Sequence, residues 1–140
     1  MAQLSNASFT MPLAQAGQIA DASSRTVDSY ASEGVVAFGS AVQRGTDPAK
    51  QVAPFTGGVF AGISVFSHTE ETGQYEDKGS VAVMSSGRVV VDTLAVEVEA
   101  GEAAYAVDAT GVITNVATSA TAIGTFLTSG TGLNVIQVEV

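Results

Sequence analysis

At 140 residues the chain fits one domain with a sizeable core, and its 14% of charged residues falls well below the ~25% of an ordinary soluble domain. Fourteen acids against five Lys and Arg give a net charge of −9, which excludes the clustered cations that a duplex or an anionic membrane requires. The absence of cysteine excludes disulfides, thiolate metal sites and thiol nucleophiles.

Residues 1–34 differ in character from the rest of the chain. Phe9, Met11, Leu13, Ile19, Val27 and Tyr30 stand singly among polar residues, no helical or alternating period holds, and Pro12, Gly17 and Gly34 punctuate the stretch. It reads as an extended N-terminal arm. Such an arm is a loosely ordered tail, a cover for its own sheet edge, or a strap whose spaced apolar side chains anchor on a neighbouring protein. No basic and then apolar leader pattern opens the chain, and no run approaches the roughly 18 apolar residues of a membrane helix.

From residue 35 to 140, short runs rich in Val and Thr alternate with Gly, Ser, Thr and Asp turns. The pattern predicts strands over Val35–Val42, Val59–Phe66, Gly79–Met84, Arg88–Val91, Leu94–Val98, Ala103–Val107, Val112–Val116, Ile123–Leu127 and Leu133–Val140. In Val59–Phe66, apolar side chains fall on both faces, so both faces need cover, from an intrachain loop, the arm or another subunit. Val89 and Val91 lie on the opposite parity to Leu94, Val96 and Val98, which predicts a bulge or corner at Asp92–Thr93. So many short strands predict an all-β sandwich, jelly roll or barrel, with the arm at 1–34 and the β-domain at 35–140. Deleting residues 1–34 is then expected to leave that domain folded.

Residues that could carry chemistry are few. His68 is the one histidine, and no G-x-S-x-G elbow accompanies it, so it reads as a loop residue rather than part of a triad. Glu70, Glu71, Glu76 and Asp77 crowd the same stretch without the spacing of a calcium loop, and read as a charged loop tip. Thr56-Gly57-Gly58 and Ser129-Gly130-Thr131-Gly132 lack the continuation of a phosphate loop and read as strand-joining turns. No cofactor, metal or catalytic residue is expected, and the chain reads as a non-enzyme.

The runs Gly17-Gln18-Ile19-Ala20-Asp21, Val27-Asp28-Ser29-Tyr30 and Val36-Ala37-Phe38-Gly39-Ser40-Ala41-Val42 resemble the opening of capsid cement proteins of tailed bacteriophages. Gly58-Val59-Phe60-Ala61-Gly62-Ile63-Ser64-Val65, Tyr75, Ser86-Gly87-Arg88-Val89-Val90-Val91, Gly101, Ala106-Val107 and Gly111-Val112-Ile113-Thr114 extend the similarity over most of the chain. The order and spacing of these short motifs carry the signal. The resemblance implies a jelly roll, often dimeric, without catalytic residues. It would sit on the outer surface of the head and staple neighbouring major capsid proteins against internal DNA pressure. Gln18, Ile19, Ala20 and Asp21 match the family's arm motif, and Phe60 its strand motif. With Arg25, Val27 and Tyr30 they form the candidate partner-binding set. The partners expected are the major capsid protein and a second copy of the chain, with neither nucleic acid nor membrane. The competing expectation is a carbohydrate- or receptor-binding β-module of a virion, against which stands the lack of Trp.

Overall fold

The computed structural model describes residues 16–20, 24–67 and 74–140. Among these there is no helix, and the all-β class expected from the sequence is observed. In chain order the strands are β1 Thr26–Ser32, β2 Val36–Ala37, β3 Ala41–Arg44, β4 Gln51–Pro54, β5 Phe60–Ser64, β6 Gln74–Tyr75, β7 Ser80–Asp92, β8 Ala103–Val107, β9 Ile113–Thr114, β10 Ala120–Phe126 and β11 Leu133–Glu139.

Nine of them form one sheet in the order β1-β4-β3-β5-β7-β11-β10-β8-β9, and β1 also pairs with β7. That extra pairing closes β1, β4, β3, β5 and the first half of β7 into a ring. Each of the five sends apolar side chains inward: Tyr30, Val42, Val52, Ala61, Val81 and Val83 pack together there. The β2–β6 ribbon adds Val36 and Tyr75, whose hydroxyl donates to the Val65 carbonyl. The second half of β7 leads into β11, β10, β8 and β9, and a larger core lies against it. Ile63, Met84, Val89, Val91, Ile123, Phe126 and Ile136 are its most enclosed members. Burying each such side chain stabilises the fold by about 1.5–3 kcal/mol. The all-β class is met, and the strands pair as one nine-stranded sheet closed at one end by β1 and β7, beside the two-stranded β2–β6 ribbon.

Two bulges let single strands serve both cores. Along β1 and β7, Thr26 faces Ser86 but Val27 faces Met84, which leaves Ser85 as the extra residue. Val81 and Val83 therefore point into the ring, while Val89 and Val91, of the same parity, point into the larger core. In β5, Val42 faces Gly62 and Gln43 faces Phe60, so Ala61 is extra. Ala61 enters the ring, whereas Phe60 and Ile63 enter the larger core. The two-sided apolar character of Phe60–Ser64 is thus covered within the chain, with all five β5 residues buried, while Val59 at the start of the predicted strand is exposed. Gly62 makes the kink at φ 146°, and a Cβ there would collide with the Met84 carbonyl and lie 2.8 Å from Val83 Cγ1.

Several predicted strands need correction. Gly79–Met84 and Arg88–Val91 are parts of a single 13-residue strand, β7. Leu94–Val98 is a turn, not a strand: Leu94 has φ 56° and is exposed, and only Val98 bridges, to Gly130. The corner expected at Asp92–Thr93 is there, because the Leu94 amide donates to Asp92 Oδ1 at 2.8 Å and closes an Asx turn. Thr26–Ser32, assigned to the arm, is a strand of the sheet and forms six pairings with β7 across the boundary expected at 34/35.

Candidate partner-binding surface

Gly17–Ala20 runs antiparallel to the second half of β7. The Gly17 amide donates to the Val90 carbonyl at 2.7 Å, the Val90 amide to Gln18 O at 2.9 Å, and the Ala20 amide to Arg88 O at 3.1 Å. A fourth bond, from the Phe66 amide to Gly17 O at 2.8 Å, ties the segment to the end of β5. Ile19 bridges Val89 and packs its half-buried side chain on the larger core. The approach is close because residue 17 is glycine: a Cβ there would sit 2.8 Å from the backbone nitrogens of Gly39 and Phe66. Gln18, Ile19 and Ala20 therefore cover their own sheet with one side and leave the other half open. Asp21 lies outside the described residues.

Arg25, Val27 and Tyr30 lie along β1. Arg25 is exposed beside Gly87, and Val27 is exposed as well. Tyr30 is half-buried. Its ring lies 5.3 Å from the Arg44 guanidinium, which donates at 3.1 Å to both the Tyr30 hydroxyl and the Pro48 carbonyl. Phe60 is placed elsewhere: it is buried, edge-on to Phe55 with centroids 6.1 Å apart, and its ring belongs to the core. The candidate set thus divides into a segment pinned on β7, the exposed Arg25 and Val27 at the start of β1, the inward-packed Tyr30 and the core residue Phe60.

A groove of about 420 Å³ that the sequence did not indicate opens beside Tyr30, lined by Ser29, Ala31, Ala49, Lys50 and Lys78 among others. Lys50 and Lys78 are 28 positions apart in the chain; only the joint pairing of β1 with β4 and β7 brings them together. A second depression of about 310 Å³ is mostly apolar, with Phe38, Leu94, Val112 and Ile113 in its wall. Of the acidic stretch, His68, Glu70 and Glu71 lie outside the described residues. Asp77 Oδ1 accepts the Gly34 amide at 2.8 Å. No group of three or more His, Asp or Glu able to hold a metal occurs among the described residues.

The comparisons with known proteins agree with one another. The family model described as structural cement protein (E217 gp24/Pam3 gp6) matches residues 3–140. A chain from the structure of the capsid of Myoviridae phage XM1 superimposes with a TM-score of 0.76 over 96% of both chains. Its sequence identity is 18%, so the likeness speaks for the fold alone. No curated protein matches the sequence.

Proposed function

The chain belongs to the phage structural cement protein family, and on that premise we propose that it binds the outer surface of a bacteriophage head and staples neighbouring major capsid proteins. The family match across residues 3–140 is the observation that carries this reading. A surface with few charges suits a protein that spends its working life against neighbours, since long charged side chains cost entropy and desolvation when covered. Repeated weak contacts across a lattice add by avidity, and a homodimer that reaches two capsid subunits holds far more tightly than either contact alone. Bound in this way, the protein resists separation of capsid subunits under the pressure of packaged DNA.

Gln18, Ile19, Ala20 and Asp21, with Arg25, Val27 and Tyr30, are the contacts we assign to the capsid side. Gly17–Ala20 supports this because its backbone is already fixed on β7, so its open side can bind without a large ordering cost. Phe60 contributes indirectly, by holding the β5 bulge.

Co-sedimentation of purified protein with capsids that lack it tests the proposal. Saturable binding that raises the temperature at which capsids release DNA is expected. Absence of binding, together with specific retention on a glycan array, would replace the proposal by the receptor-binding reading.

A further inference from the structure

Among the described residues, one edge of β1 is unpaired over its first half. The Ser32 amide donates to Gly79 O on the β7 side, and the Ala31 amide donates to Lys50 O on the opposite side. Because backbone groups alternate along a strand, the amides and carbonyls of Val27 and Ser29 face the same way as those of Ala31, away from β7. β4 meets β1 only at Ala31 and Ser32, so among the described residues no strand completes the rungs at Val27 and Ser29. The fork where β1 and β4 part opens into the groove beside Tyr30, which crosses β1 from Ala49 and Lys50 on the open side to Lys78, Gly79 and Ser80 on the β7 side.

The fork is cationic within an acidic protein. Lys50 and Lys78 line it and no carboxylate does. Three neighbouring acids are engaged elsewhere: Glu33 accepts from the Thr46 amide and hydroxyl, Asp77 from the Gly34 amide, and Asp47 from the Ala49 amide, while Asp28 is exposed on β1 between Val27 and Ser29. Neither lysine ammonium has a hydrogen bond or ion pair among the described residues. Lys78 also sits at φ 64°, a left-handed conformation that glycine or asparagine adopts at lower cost. Its amide is fixed there by Ser32 O at 2.9 Å, and the Ser32 hydroxyl bonds the same turn at Glu76 O.

We propose that the open edge of β1 takes up an extended, acidic segment of the capsid protein as an added strand, with its carboxylates on Lys50 and Lys78. This deepens the proposed capsid binding and rests on it. The backbone rungs at Val27 and Ser29 supply sequence-independent affinity, and the two ammonium groups select for acidic side chains. The occupant is a partner rather than a second copy, because antiparallel pairing of two β1 strands through the rungs at Val27 and Ser29 would set the two Asp28 side chains directly opposite each other.

The full-length protein and capsids stripped of it provide the test. Ser29→Pro removes an amide that bonds nothing among the described residues, and Lys50→Glu with Lys78→Glu reverses the charge of the fork. Each variant should bind capsids at least about tenfold more weakly at unchanged folding, while Lys50→Arg with Lys78→Arg should bind like the parent. Hydrogen exchange should slow at residues 26–30 of the parent on capsid binding. The strand assignment is overturned if the charge-reversed protein binds as tightly as the parent, which leaves capsid binding itself standing. Should Ser29→Pro fail to fold, the lysine pair and the exchange measurement decide. A parent dimer that Ser29→Pro dissolves would give the edge to a second copy instead. A parent that binds no capsid overturns both readings.

Discussion

Asn134 is 1% exposed, and its side chain joins two loops. Its amide nitrogen donates to Thr93 Oγ1 at 3.3 Å and to Gly130 O at 3.2 Å, and its Oδ1 accepts from the Thr128 hydroxyl at 2.9 Å. Thr93, also buried, donates to Val96 O at 3.0 Å. This knot holds the turn after β7 against the loop between β10 and β11. Asn134→Ala removes these bonds and leaves the buried Thr93 and half-buried Thr128 hydroxyls without their asparagine partner, at a cost of about 1–3 kcal/mol. Urea unfolding should show a lower midpoint at an unchanged slope, and an unchanged midpoint would mean that the loops do not depend on this residue. The sequence marked Ser129-Gly130-Thr131-Gly132 as a strand-joining turn, which it is. It held no sign that a buried asparagine two positions later would fasten it, because a lone Asn looks the same in a solvated loop.

At the scale of elements, strands with a regular apolar face were legible. Ala103–Val107 and Leu133–Glu139 match their predicted extents closely, since alternating Val, Ile and Ala record one buried face. β1 was not legible: TVDSYAS is exposed at Thr26, Val27, Asp28 and Ser29 on both faces, so burial leaves no pattern to read. Leu94–Val98 erred in the opposite direction, as a chance alternation within a turn set by Asp92. The place of β1 has a direct consequence. A chain that begins at Arg25 retains the ring, whereas one that begins at Val35 loses six pairings with β7 and opens it. The second truncation should melt at least about 10 °C below the first, given that 1 kcal/mol shifts a domain of this size by about 2–8 °C. Equal melting of the two would restore the expectation that residues 1–34 are dispensable for folding.

For the whole molecule, charge and topology are arranged together. All five cations precede residue 89, while Asp92, Glu97, Glu99, Glu102, Asp108 and Glu139 come after it. β7 runs from Ser80, beside the lysine fork, to Asp92, where the chain enters the stretch that carries Glu97, Glu99 and Glu102. Composition revealed the asymmetry, and the family motifs revealed the class of protein. The candidate surface was only half legible: Gly17–Ala20 and β1 were named from their motifs, but the fork depends on long-range pairing that no local pattern encodes. The central claim is that this protein bridges capsid subunits from outside the head. Cryo-electron microscopy of stripped capsids incubated with the protein tests it most directly. The account predicts ordered density on the outer surface that spans adjacent major capsid proteins, with residues 17–30 at the contact. Density confined to the inner surface or to a single subunit, or a lattice left bare at saturating protein, would contradict it.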